Sequence, residues 1–322
     1  MTSPGSSNKE KYLSVELDEV FIGDPLPCAL YLYIDYRFLT YRPLGSEIDR
    51  MTYERLEFKR IRNLFIHFSD REVFTAWSSA KAAEQSPPHE AGEASPVLSA
   101  LDGLKDDMRR KTLDIFTTNH PVKAVAAGLE TSKKLVDEMM KLPFAVKSLA
   151  HIQGYSRGTV DHSVNVSILA VYLGQQMGYS SAVILQNIGM GALLHDIGKP
   201  LVKIEEADDK ETIELKMVEH VKLGADYISK EDKAPNEVKM IVAQHHEFYD
   251  GTGYPKQLRS NRIYDLARIV TIANEFDGLV ADGVGTLVER QRAAITHMDQ
   301  VMFKKFDPMK LEKSIKILKL GV

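Results

Sequence analysis

The stretch LLHDIGK, residues 193–199, restricts the folds open to this chain more than any other part of the sequence. It follows the apolar helical run VILQNIGMGALL, so a histidine and a carboxylate, His195 and Asp196, stand side by side at the end of an apolar helix. An imidazole can bind one metal ion while the two carboxylate oxygens bridge to a second. Lys199, one helical turn after His195, is expected to bring its ammonium near the same cavity. Taken alone, the pair is also typical of a polar helix end that stops at Gly198.

Length, charge and cysteine content narrow the class of protein. With 322 residues, the chain is long enough for two domains of roughly 100–200 residues each. Its net charge of −4 gives no general attraction to DNA or to an anionic membrane, so we expect neither partner. Cys28 is the only cysteine, the N-terminal residues lack an apolar signal core, and no apolar run reaches the roughly 20 residues of a membrane span. These features predict a cytoplasmic protein.

The patterning changes along the chain. Residues 12–68 contain aromatic and branched runs with partial alternation, which predict strands, and two helices are predicted at 51–61 and 70–83. We therefore expect a small α/β domain at 1–83. The segment 84–96 is rich in proline, small and acidic residues and has no periodicity, which predicts a linker.

Helical periodicity dominates residues 97–322 and predicts an all-α domain. The expected helices cover 97–115, 120–141, 143–152, 159–178, 180–195, 211–230, 234–247, 264–282, 286–303 and 308–318.

Four further histidines lie in or beside these predicted helices: His162, His220, His245 and His246. Each one alone is as compatible with a capping, core or surface histidine as with a metal ligand. Together with the His-Asp pair and the glycine-rich loop after the doublet, they favour a site built inside a helical bundle from facing helices. A mixed set of histidines and carboxylates suits iron, manganese or zinc in an open catalytic site, and the short paired spacings of a zinc finger do not occur.

Residues 155–282 resemble the HD-GYP family, a bacterial branch of the HD phosphohydrolase superfamily. Five motifs in the family's order carry this resemblance: HSVNVSILA (162–170), LLHDIGK (193–199), EHVKLGADYI (219–228), HHEFYDGTGYP (245–255) and LARIVTIANEFDGL (266–279). The resemblance covers the C-terminal part only. It implies an all-α HD-type helical bundle at 97–322, preceded by a regulatory or sensory domain.

The resemblance also implies the activity. Family members are metal-dependent phosphodiesterases of the bacterial messenger cyclic di-GMP, so two divalent metal ions, iron or manganese, are expected as cofactors. Asp196 would bridge the two metals, and Lys199 would contact the scissile phosphate, which makes these two the implied catalytic residues. The loop 250–255 would border the substrate and also serve as a docking surface for diguanylate cyclase (GGDEF) domains. The implied metal ligands are His162, His195, Asp196, His220, His245 and His246, and the implied substrate-binding residues are Lys199, Asp250, Gly253, Tyr254 and Pro255.

The chain departs from the family pattern in three places. Asn274 stands where the family has an aspartate metal ligand, and its amide can offer only a carbonyl oxygen, a poorer donor to a divalent cation. Gly158 stands where members with three metals have a glutamate, so two metals are expected. Residues 278–286 contain no basic or aromatic residue, although the family usually has an arginine-proline-tyrosine segment there that helps to hold substrate.

Three functions remain open at this point. The first is a binuclear cyclic di-GMP phosphodiesterase with reduced activity, in bacterial second-messenger signalling. The second is a catalytically weak or inactive HD-GYP-like signalling protein that binds metal or nucleotide and acts through partner proteins. The third is an HD hydrolase for another phosphoester. Fold-level analogy alone does not decide among them.

Overall fold

The computed structural model describes residues 11–34, 37–85, 96–141, 158–205 and 208–321. The chain divides into two compact units, Met1–Ser86 and Pro87–Val322. Most of the predicted linker, residues 86–95 of 84–96, lies outside the described residues.

The first unit is an antiparallel four-stranded sheet with two helices, as the α/β prediction requires. The strand order is β1-β4-β2-β3. Alternate side chains of β4 are buried, because successive residues of a strand face opposite sides of the sheet. Leu64 and Ile66 of β4 join the core with Tyr53 and Phe74 from the helices. The elements are β1 Tyr12–Glu16, β2 Leu30–Ile34, β3 Arg37–Arg42, α1 Arg50–Phe58, β4 Asn63–His67 and α2 Arg71–Gln85.

The second unit is a helical bundle, which confirms the predicted fold class. Within the described residues its helices are α3 Pro96–Thr117, α4 Pro121–Lys141, α5 Thr159–Gln176, α6 Ala182–Leu194, α7 Lys210–Met217, α8 His220–Ser229, α9 Asn236–Gln244, α10 Asp265–Asp282, α11 Leu287–Gln300 and α12 Pro308–Leu320. The helix predicted at 143–152 lies outside the described residues. None of the described helices combines the length and apolar character needed to cross a bilayer.

One predicted helix, 211–230, is two helices in the structure. The amides of Val218 and Glu219 bond to carbonyls three residues back, on Leu215 and Lys216, and this tightening ends α7 before α8 begins at His220. Helical periodicity continues across the break, so the sequence pattern did not reveal it.

Two central helices, α5 and α6, form the middle of the bundle. They pack on each other, α4 and α9 pack on α6, and α10 packs on α5. Residues 162–174 of α5 are all buried, which explains why this helix is apolar or small on every side. Because α6 ends at Leu194, the His195–Asp196 pair follows directly at the centre of the bundle.

Glycines let α6 approach its neighbours closely. A Cβ added to Gly191 would lie 2.6 Å from Ile241 Cδ1 and 2.8 Å from Ile241 Cβ, on α9. The helix that delivers His195 therefore touches the helix that delivers His245 with almost no gap.

We expect Gly191→Ala to lower the free energy of unfolding by about 1–3 kcal/mol, because the new methyl group forces α6 and α9 apart. Gly103→Ala in α3 is the matched control, since a Cβ there would meet nothing within 4 Å. The control should stabilise the protein by roughly 0.5–1 kcal/mol, the ordinary preference of a helix for alanine over glycine. Urea denaturation measures both. Two variants with the same stability would contradict the close contact.

Candidate metal centre

The candidate ligands come from five helices, and at four of them they lie at a helix end. His162 lies in the first turn of α5, His220 is the first residue of α8, and the His245–His246 doublet follows α9 directly. The His195–Asp196 pair follows α6, and Asn274 lies in the middle of α10. A helix end can present a side chain to a central cavity while the rest of the helix packs in the core.

Gly198 brings the HDIGK turn against α8. A Cβ at this residue would lie 2.0 Å from the carbonyl oxygen of His220 and 2.6 Å from the amide nitrogen of Gly224. Its φ of −80° is open to any residue, so the glycine is required by the close approach of the two backbones. The turn therefore holds Asp196 beside His220.

The structure brings the predicted ligands together in two groups that share Asp196. One ligand atom from each member of a group lies within 4.8 Å of the others, and the groups are Asp196, His220, His245 and His246, and His162, His195 and Asp196. Such a cluster can hold divalent metal ions, with Asp196 between two positions.

Hydrogen bonds fix the proton on three of the imidazoles. Nδ1 of His195, His220 and His245 lies 2.6, 2.5 and 2.8 Å from the backbone carbonyl three residues earlier, and a carbonyl can only accept, so each Nδ1 carries the hydrogen. In a neutral ring Nε2 then presents a lone pair. Metal-binding histidines are held in the same way.

These lone pairs point at other acceptors. His220 Nε2 lies 3.1 Å from Asp196 Oδ1 and 3.2 Å from His245 Nε2, while His195 Nε2 lies 3.1 Å from Asp196 Oδ2. His195 Nε2 and Asp196 Oδ1 are buried and have no hydrogen-bond partner among the described residues. Buried acceptors that face each other at this distance repel unless a cation lies between them. The residues present therefore fit divalent metal ions.

Burial sets the charge state of the cluster. It lowers the pKa of His195, His245 and His246, and the neighbouring imidazoles lower that of His245 and His246 further, which favours the neutral rings that can coordinate metal. Burial opposes ionisation of Asp196, but the positive charge beside it, with the Lys199 ammonium in contact, outweighs burial and holds the pKa of this carboxyl well below its usual range. The cluster thus combines neutral nitrogen donors with an ionised carboxylate.

His162 is oriented by a residue that the sequence analysis did not assign. Its Nδ1 lies 2.7 Å from Asp277 Oδ2, and its Nε2 lies 2.8 Å from Asn274 Oδ1. A carboxylate that holds the far nitrogen of an imidazole fixes the ring and makes it a stronger metal ligand. The sequence offered one sign of this role: Asp277 follows Asn274 by one helical turn, so the two side chains lie on the same face of the helix.

Lys199 occupies the position expected of it. Its Nζ lies 2.7 Å from Asp196 Oδ2, and its side chain is 23% exposed. The ammonium can therefore reach a ligand in the cavity while it neutralises the shared carboxylate.

The loop after the doublet folds back on the metal centre. A Cβ on Gly253 would lie 2.3 Å from the carbonyl oxygen of His246, and the ring of Tyr254 stacks on the His246 ring with centroids 4.6 Å apart. Glu247, a second residue missed from sequence, is buried and accepts hydrogen bonds from the amides of Lys256 and Leu258 at 2.6 and 2.8 Å. It thereby closes the loop.

Two other predicted substrate residues, Asp250 and Pro255, lie in the same loop. Asp250 accepts hydrogen bonds from the amide and the hydroxyl of Thr252 at 3.0 and 2.7 Å, and it lines a groove beside α12. Pro255 is exposed. The geometry thus assigns Asp250 a part in shaping the loop.

Comparisons with known proteins agree with this geometry. The HD domain family matches residues 159–279. A cyclic di-GMP phosphodiesterase of Borreliella burgdorferi is 29% identical over 149 residues, which cover 45% of this chain and 39% of the relative. A 3'3'-cGAMP-specific phosphodiesterase of Vibrio cholerae is 29% identical over 202 residues, which cover 60% of this chain and 37% of the relative. The chain thus spans well under half the length of these relatives.

A solved structure shares the fold. Bd1817, a HDG"Y"P protein from Bdellovibrio bacteriovorus, aligns with a TM-score of 0.58 and 22% identity over 96% of this chain and 99% of that protein. The likeness in sequence and structure agrees with the HD-GYP resemblance drawn from the five motifs.

We expect the purified protein to contain about two divalent metal ions per chain, because two groups of donors share one carboxylate. Asp196→Asn should lower this to less than about one, since it removes the negative charge of the carboxylate that both groups share. His297→Ala is the control: His297 is an exposed histidine of α11, and its loss should leave the metal content unchanged. Elemental analysis of the three proteins is the measurement. An unchanged metal content in Asp196→Asn would refute the shared position.

Proposed function

We propose that this chain, whose residues 159–279 match the HD domain family, hydrolyses cyclic di-GMP with the help of two divalent metal ions. The observation that carries the proposal is the buried Asp196 carboxylate, both of whose oxygens face the Nε2 atoms of surrounding histidines. The family resemblance implies iron or manganese, and the mixed N/O donor set is compatible with either.

Phosphodiester hydrolysis needs a nucleophile at neutral pH and relief of negative charge at phosphorus. When bound, the metal ions supply both, because they acidify water and draw charge from phosphate oxygens. His162, His195 and Asn274 would hold one ion and His220, His245 and His246 the other, with Asp196 shared between them. Asp277 would keep the His162 ring in the orientation that binding needs.

Lys199 has a separate role in this proposal. Its ammonium is partly exposed beside Asp196, so a phosphate oxygen at the metal centre would come within its reach. A cation placed where negative charge develops stabilises the transition state more than the ground state. Tyr254 and Gly253 would form the neighbouring wall of the substrate pocket.

The relatives support a cyclic dinucleotide as the substrate class. The two named above act on cyclic di-GMP and on 3'3'-cGAMP by their descriptions. A further relative, from Xanthomonas campestris, is a cyclic di-GMP phosphodiesterase response regulator and is 30% identical over 158 residues. We assign the activity to a domain at 97–322, regulation in second-messenger signalling to a domain at 1–83, and docking of GGDEF domains to the loop 250–255.

One observation favours a second candidate, a signalling protein with little or no turnover. Asn274 Oδ1 is a neutral donor in place of a carboxylate, which leaves one metal position with less negative charge to hold it. In this alternative the centre would bind metal and nucleotide, and partner proteins would carry the signal.

Cyclic di-GMP should be hydrolysed by the protein loaded with iron or manganese. Lys199→Ala should lower kcat by about 10²–10³-fold with the metal content retained, because a positioned charge at the phosphate is lost. Lys203→Ala, a nearby exposed lysine, is the matched control and should leave kcat unchanged. Chromatography of the reaction products gives the rates. A metal-loaded protein without any turnover would decide for the signalling alternative.

Asn274→Asp should raise metal affinity and turnover together. A carboxylate in place of the amide adds a negative charge beside His162, and we expect roughly a tenfold gain in affinity at that position, in line with the effect of single ligand changes. Metal titration and the hydrolysis assay measure the two quantities. A variant with weaker metal binding than the natural protein would show that Asn274 is not a ligand.

A further inference from the structure

Lys305 lies on a short 3₁₀ turn, Phe303–Lys305, that follows α11 and packs against the loop after the His245–His246 doublet. The amide of Tyr249 donates to the carbonyl of Lys305 at 2.7 Å, which ties the turn to the loop that begins at His246. The ammonium of Lys305 lies 4.5 Å from the centroid of the Phe248 ring. The charge is therefore held against the loop, only two residues beyond a candidate metal ligand.

Glu275 faces the same loop from α10. It stands one turn after Thr271, whose hydroxyl donates to the carbonyl of His245 at 3.0 Å, so this side of the helix is directed at the doublet. Burial raises the pKa of Glu275, and the charge of Lys305 acts in the opposite direction. The pKa of the Tyr254 hydroxyl is raised by burial and by the negative charges of Asp196 and Glu275. Tyr254, whose ring stacks on the His246 ring, and the Lys305 ammonium, which lies against the Phe248 ring, are thus held by the same loop.

Within the described residues, Lys305 forms no ion pair within 4.0 Å, although it is half-buried. Two other cations near the centre already have carboxylate partners at 2.7 Å: Lys199 has Asp196, and Arg109 has Asp161. A partly buried ammonium that lacks a carboxylate loses hydration without full compensation. Lys305 is therefore a cation that can take up an anion at this loop.

A cyclic dinucleotide brings two phosphate charges. The proposed reaction places one phosphate at the metals and Lys199, and the other then needs a cation of its own in a partly desolvated pocket. Residues 278–286, which follow the end of the metal-binding motif on α10, contain no lysine or arginine. The cation must come from another element.

We propose that Lys305 binds the second phosphate of a cyclic dinucleotide, the one that is not cleaved. This inference rests on the proposed function and adds to it a subsite on the turn after α11. The Lys305 ammonium would make a charge-assisted hydrogen bond to this phosphate, either after it moves away from the Phe248 ring or while it still contacts the ring.

The test compares a substrate that has two phosphates with one that has a single phosphate. Lys305→Met should raise KM for cyclic di-GMP about tenfold, the weight of one charge-assisted hydrogen bond, and change kcat less than twofold. Hydrolysis of bis(p-nitrophenyl) phosphate, which has one phosphate, should be unchanged. Lys304→Met is the matched control, because Lys304 is the adjacent exposed lysine and should affect neither substrate.

Binding is the second readout. Calorimetric titration of the metal-loaded protein with a phosphorothioate analogue of cyclic di-GMP that resists hydrolysis should give a Kd about tenfold higher for Lys305→Met than for the natural protein, and Lys305→Arg should restore most of the affinity. Thermal melting verifies that each variant is folded.

The outcomes separate the two proposals. Equal KM and Kd for Lys305→Met and the natural protein would overturn the subsite and leave the phosphodiesterase standing. A parallel loss with both substrates would also overturn it, since that pattern indicates damage to the metal centre. Cleavage of bis(p-nitrophenyl) phosphate without binding of cyclic di-GMP would reject the substrate class, and the subsite with it.

Discussion

The whole bundle depends on one electrostatic arrangement, a buried carboxylate surrounded by imidazole lone pairs. Asp196 is 1% exposed, and its oxygens lie 3.1 Å from Nε2 atoms whose rings have already donated their hydrogens to backbone carbonyls. Without a cation this arrangement is repulsive and would cost the fold free energy. The arrangement is maintained because the Nδ1 atoms of His195 and His220 are each held by the backbone carbonyl three residues earlier. The ligand geometry is thus a property of the backbone as much as of the side chains.

The backbone can come this close only where side chains are missing. Gly198 and Gly224 let the HDIGK turn lie against α8, and Gly191 lets α6 lie against α9. These glycines belong to the motifs for a steric reason, although they touch no metal and supply no chemistry. Such a motif therefore contains two kinds of residue: donors that face the cavity, and small residues that let donors from different helices come close together.

The sequence was sufficient for the α/β unit, the helical bundle and the convergence of the histidines, because these follow from periodicity and from motif order. It was insufficient where a role depends on contact between distant segments. Asp277 acts through a hydrogen bond to His162, and Glu247 through amides of a loop whose path was unknown. The substrate role that the family resemblance implies for Asp250 stays a prediction, and in the structure its side chain accepts hydrogen bonds from Thr252. The break between α7 and α8 was invisible because apolar spacing continues through it.

The hydrogen bond between His162 and Asp277 joins residues 115 positions apart in the chain. Such a contact closes a long loop, so it can form only late, after most of the intervening helices have found their partners. A nascent chain therefore lacks this half of the cluster until synthesis has passed α10. Metal ions bound at that stage would cross-link α5, which carries His162, to α10, which carries Asp277. Release of the ions and opening of the bundle would then be coupled.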